Sequence, residues 1–113
     1  MTIGEGGAAE TVPGEEVAEL FRRVIRRELK MVCIGASWKD IYAGNVRVRI
    51  GGYDQVIFND CDELDYVDRV TAPDGREGDF DEWFNTDTEP VQLLTDQEIS
   101  RMESLLEAAP VAP

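Results

Sequence analysis

Histidine is absent from the chain. Its absence excludes Ser-His-Asp and Cys-His nucleophile pairs, imidazole acid–base chemistry and the usual zinc ligand sets. Any catalysis would have to run on carboxylates, lysine, tyrosine or cysteine. The expectation is therefore a non-enzymatic protein, with no catalytic residue, no metal ligand and no cofactor assigned. Cysteine is scarce as well. Cys33 and Cys61 are too few for a disulfide framework, and reduced thiols are expected. No apolar run approaches the length of a membrane span. The opening stretch MTIGEGGAAETVPGEE has neither the basic nor the apolar segment of a secretory leader. A cytoplasmic protein is expected on these grounds. Positive charge is in short supply too: 11 Lys and Arg stand against 24 Asp and Glu, a net charge of −13. Such a chain repels nucleic acid and anionic membrane, so neither is expected as a direct partner. It is suited to fast encounter with a basic protein surface.

What is present describes one globular domain. A length of 113 residues, 42% hydrophobic and 31% charged, suits a single compact unit and not two. Residues 1–13, small and Gly-rich, are expected to be a loose tail, residues 14–109 the domain and residues 110–113 a second tail. Pro13-Gly14-Glu15-Glu16 reads as a helix entrance. Val17, Leu20, Phe21, Val24, Ile25 and Val32 then recur at helical spacing, with Arg22, Arg23, Arg26, Arg27 and Lys30 opposite. This predicts a helix over about residues 15–32, stopped by Gly35. Glu28 falls near the middle of the apolar arc. Either the helix leaves the core there or Glu28 is a buried carboxylate, and the first is the expectation.

The segment from Ser37 to Gly44 fits one helical turn or a short strand, with Trp38 and Tyr42 as core and anchor. Val46-Arg47-Val48-Arg49-Ile50 alternates strictly and reads as a strand. Gly51-Gly52 turns it into a second strand over Gln55–Asn59. A third strand is expected over about Asp65–Thr71, ending in the turn Pro73-Asp74-Gly75. Asp79–Phe84 and Pro90–Leu94 suit short helical pieces. Thr95 and Glu98 form a capping box ahead of Ile99, Met102, Leu105 and Leu106, a helix ended by Ala109-Pro110. The fold class is α+β: a small three-stranded antiparallel sheet packed by an N-terminal and a C-terminal helix.

The charge is segregated along the chain. Residues 59–84 hold ten carboxylates (Asp60, Asp62, Glu63, Asp65, Asp68, Asp74, Glu77, Asp79, Asp81 and Glu82) against Arg69 and Arg76. The molecule should be strongly dipolar unless the arginines of the first helix fold onto this segment. The densest part, FNDCDELDYVD from Phe58 to Asp68, is not an EF-hand: counted from Asp60, position 5 is Leu64 and position 6 is Asp65. A looser divalent-cation or small-ligand module stays open as an alternative. A hydrolytic carboxylate pair ranks below it, since any two of ten acids could be nominated. A solvated charged face is the bland alternative. Against it, the acids are interleaved with Leu64, Tyr66, Phe80, Trp83 and Phe84, and rings plus charge are what a protein-binding surface needs. Strand alternation is expected to send Asp65 and Val67 to one face, with Val67 in the core, and Tyr66 and Asp68 outward.

The string Trp38-x-x-x-Tyr42-x-Gly44, then FNDCDELDY, APDG at Ala72–Gly75 and DEWF at Asp81–Phe84, resembles a family of small acidic bacterial proteins of uncharacterised function. The resemblance covers about residues 15–108. It implies a bacterial or phage setting and a cytosolic protein, and carries no activity. The resulting expectation is a binding module for a basic protein surface, acting as an inhibitor that imitates nucleic acid or as an immunity-type or regulatory partner. The residues expected to meet the partner are Asp60, Asp62, Glu63, Asp65, Tyr66, Asp68, Asp79, Asp81 and Glu82.

Overall fold

The computed structural model describes residues 11–113. Its elements run α1 (Gly14–Ile25), β1 (Met31–Ile34), β2 (Ala43–Ile50), β3 (Tyr53–Asp60), β4 (Glu63–Thr71), β5 (Glu77–Asp79), α2 (Phe80–Asn85), a 3-10 helix (Pro90–Leu93), α3 (Asp96–Ala108) and β6 (Val111–Ala112). The class is α+β, as expected, but the sheet has six strands in the order β5-β4-β3-β2-β1-β6 rather than three. All neighbours are antiparallel except β1 and β6. The three expected strands form its centre. The three additions are short, two to four residues each, below the length at which alternation becomes visible.

Helix α1 ends at Ile25, well before residue 32. Arg27 takes a left-handed conformation, φ 64°. Its N–H donates to Val24 O at 2.9 Å and the Glu28 N–H donates to Arg23 O at 2.8 Å. This is a Schellman stop, made without the glycine that normally signals one. The chain then turns into β1, where Val32 belongs to a strand. Glu28 lies outside the helix and exposed, paired with Arg23 and Arg26 at 3.2 and 2.8 Å.

Described residues of both expected tails are tied into the fold. Val12 is buried in the core, and its N–H donates to Glu77 O at 3.0 Å. The Trp83 indole donates to Val12 O at 2.9 Å. Gly78 makes this possible, because a Cβ there would lie 2.6 Å from Val12 O and 2.7 Å from the Trp83 ring. At the other end, Val111 and Ala112 pair with β1. The remainder of the expected N-terminal tail, residues 1–10, lies outside the described residues.

One face of the sheet is covered. Val46, Val48 and Ile50 of β2, Ile57 of β3, and Leu64, Val67 and Val70 of β4 are buried together with Val17, Leu20, Phe21 and Val24 of α1 and Met102 and Leu106 of α3. The capping box at Thr95 and Glu98 forms as expected. Trp38 is core, whereas Tyr42 is 63% exposed, so the expected core-and-anchor pair divides between interior and surface. Cys33 is buried in β1, Cys61 is exposed in the β3–β4 turn, and both are free thiols.

Candidate functional site

The face of the sheet turned away from α1 and α3 carries the unusual chemistry, and β4 organises it. Its buried residues Leu64, Val67 and Val70 recur every third position, not every second. Two bulges cause this. Val56 pairs with Arg69 and Ile57 with Val67, leaving Asp68 unmatched; Phe58 pairs with Tyr66 and Asn59 with Leu64, leaving Asp65 unmatched. A bulge inserts one residue and resets the alternation. The expected partition, with Asp65 beside Val67, therefore fails: Asp65 is exposed while Val67 is buried. Both inserted residues are aspartates, and they flank Tyr66.

Tyr66 stands in a row of four rings. Phe58 stacks on it at 5.2 Å between centroids and 13° between planes, and Phe80 contacts it at 4.7 Å and 51°. Phe84 continues the row from Phe80 at 5.5 Å and is 58% exposed. Beyond Phe58, the cross-strand register sets Asn45 of β2 opposite Phe58, and exposed Arg47 opposite half-buried Val56. The open face is thus aromatic in the middle, basic toward β2 and acidic toward β4 and β5.

The expected partner-binding residues fall into two groups around this row. Asp60, Asp62 and Glu63 sit at the tip of the β3–β4 hairpin. Asp60 and Glu63 pair, and Cys61 and Asp62 form a two-residue turn with φ 54° and 74°, a type I′ geometry that fits the twist of the flanking strands. Asn59 holds the tip. Its Oδ1 accepts from the Asp62 N–H at 2.8 Å, and its Nδ2 donates to Trp38 O at 3.0 Å and Ile41 O at 2.7 Å. The Tyr42 hydroxyl titrates above its usual range, held there first by the Cys61 thiol and then by burial and the Asp62 and Asp60 charges. The second group is Asp65, Tyr66, Asp68, Asp79, Asp81 and Glu82. Tyr66, Asp68, Arg69, Asp79, Phe80 and Asp81 line a single hollow of about 260 Å³. Asp79 also accepts from the Glu82 N–H at 3.0 Å, and Glu82 turns toward the neighbouring hollow along β5.

Two of the apolar residues expected among the acids as surface anchors do not lie on this face. Leu64 and Trp83 are core. Phe58 takes a place in the row that the sequence did not mark, because within the continuous apolar run Val56-Ile57-Phe58 no alternation tells an outward residue from a core one. Two carboxylates also escaped notice. Glu89 is buried, its Oε2 accepting from the Val67 N–H at 2.8 Å and its Oε1 from the Gln92 N–H at 3.2 Å. Burial pushes its carboxyl above the usual range, against the opposing pull of those backbone donors. Glu103 accepts from the Leu64 N–H at 2.9 Å. β5 pairs only with Arg69–Thr71, and these two side chains take up the Leu64 and Val67 donors farther along β4.

The acids of the open face are electrostatically unspent. The arginines of α1 do not reach them: Arg22 pairs with Glu98 at 3.1 Å and Arg26 with Glu19 at 2.9 Å. Arg76 pairs with Glu16 and Asp74, each at 2.8 Å. Of the ten carboxylates in residues 59–84, only Asp74 is ion-paired among the described residues. Nor, among the described residues, do three acidic or thiol side chains converge as a metal shell would require. No helix of the described residues is long and apolar enough to cross a membrane.

Over residues 11–108 the sequence matches DUF7693, a domain of unknown function, and the chain belongs to that family. No curated protein and no solved structure matches the chain.

Proposed function

We propose that this protein is a non-enzymatic binding module that captures a basic protein surface on the open face of its sheet. The observation that carries this reading is the set of unpaired carboxylates at Asp65, Asp68, Asp79 and Asp81 around a row of accessible rings. Unpaired exposed acids steer a basic partner at long range, and the rings supply apolar burial on contact. The hairpin-tip acids Asp60, Asp62 and Glu63 widen the attractive field. A narrower reading follows from the same array. Carboxylates presented along a ridge occupy a channel built for phosphates, so an inhibitor of a nucleic-acid-handling protein in a bacterial or phage cytoplasm is the role that fits best.

The test is Tyr66→Ala, read by melting temperature and by affinity for the partner captured from lysate. Tyr66 is half-buried against Phe58 and Phe80 rather than in the core. Its loss should weaken binding by about 2 kcal/mol, the scale of an interface hot spot. The stability cost should be about 1 kcal/mol, the scale of the lost ring contacts. A large drop in melting temperature with intact affinity would show that the row only props up the fold.

A further inference from the structure

We propose that the hollow lined by Tyr66, Phe80 and the surrounding aspartates receives an arginine side chain of the partner protein. The inference rests on the reading of this face as a binding site for a basic protein, and it names the group that is read there. The hollow, about 260 Å³, is lined by Tyr66 and Phe80, whose rings touch each other at 4.7 Å between centroids. Its remaining walls are Asp68, Asp79 and Asp81, with Arg69 the one cation. Three carboxylates against one guanidinium leave the hollow negative. Arg69 forms no ion pair among the described residues, the nearby acids included.

A flat, weakly hydrated cation suits this lining. Guanidinium stacks on an aromatic face and binds a carboxylate through two parallel hydrogen bonds; an ammonium is a strongly hydrated point charge that does neither as well. An acidic surface without rings would attract both alike. The rings therefore turn a general preference for basic proteins into a preference for arginine. A second copy of this chain is a poor occupant, because two molecules of net charge −13 repel each other.

The experiment is calorimetric titration of the full chain with hexa-arginine and hexa-lysine peptides at low salt. Hexa-arginine should bind at least about fivefold tighter. Phe80→Leu, checked for folding by circular dichroism, should reduce that ratio to near unity. Arg69 is exposed and, among the described residues, unpaired, so Arg69→Gln tests the hollow without relying on the core. It should tighten hexa-arginine by about threefold by removing a competing cation, and weaker binding in that variant would overturn the proposal. Equal affinities of the two peptides for the natural chain would overturn the arginine site while leaving the acidic face standing. Binding of neither peptide would overturn both.

Discussion

Gln55 lies on the covered face of β3, opposite Val48 and Val70, with both atoms of its side-chain amide buried and, among the described residues, without a hydrogen-bond partner. An unsatisfied buried amide costs about 1–3 kcal/mol. Gln55→Leu, similar in size and apolar, should therefore raise stability by about 1–2 kcal/mol in chemical denaturation. A loss of stability instead would show that the amide is engaged in the native interior. At this scale the sequence is legible where a residue's type and its strand neighbours agree, as for the Val46–Ile50 alternation. It is not legible where a polar residue does internal work. Asn59, inside the acidic run, looks like one more surface polar group, yet it fastens the hairpin tip to the backbone of Trp38 and Ile41. Arg27, at a left-handed φ, ends α1 where a glycine would have announced the stop.

Among the elements, α1 is tied to the sheet by a polar clasp as well as by its apolar stripe. Glu16 accepts from both terminal nitrogens of Arg76, at 3.0 and 2.8 Å, and from the Tyr53 hydroxyl. The Arg76 hydrogen bonds, opposed by partial burial, hold the Glu16 carboxyl below its ordinary value of 4.5. A carboxyl lowered on folding adds stability that is present above its unfolded value and lost as pH falls through the folded one. Glu16→Gln should therefore lower Tm at neutral pH, with the gap closing as the pH is taken below 4.5. A gap that stays constant over that range would contradict the clasp. The sequence shows the five longest elements because periodicity needs length. It also shows α3's start, because a capping box is local chemistry. β1, β5 and β6 are set by tertiary pairing and leave no local trace. The two bulges in β4 escape for the same reason. They are a property of the β3–β4 register, and they decide which acids join Tyr66 on the open face.

At the scale of the whole molecule, the fold preserves the charge segregation of the chain. The arginines of α1 are taken up by Glu19, Glu28 and Glu98, none of them in the acidic segment. Asp68, Asp79 and Asp81 of that segment stay unpaired among the described residues, beside the rings of Tyr66 and Phe80. Such a molecule should orient in the field of a basic partner before contact. Exposed charges are screened beyond roughly 8 Å at physiological ionic strength, so steering of this kind is strongly dependent on salt. The most direct test is the association rate of the chain with its captured partner, measured by stopped flow from low to high salt. A fall of at least about tenfold is predicted, together with slower association of an Asp65→Asn, Asp68→Asn, Asp81→Asn variant at low salt only. A rate indifferent to salt, or a triple variant that associates as fast as the natural chain, would contradict the claim that these unpaired carboxylates are what the protein offers its partner.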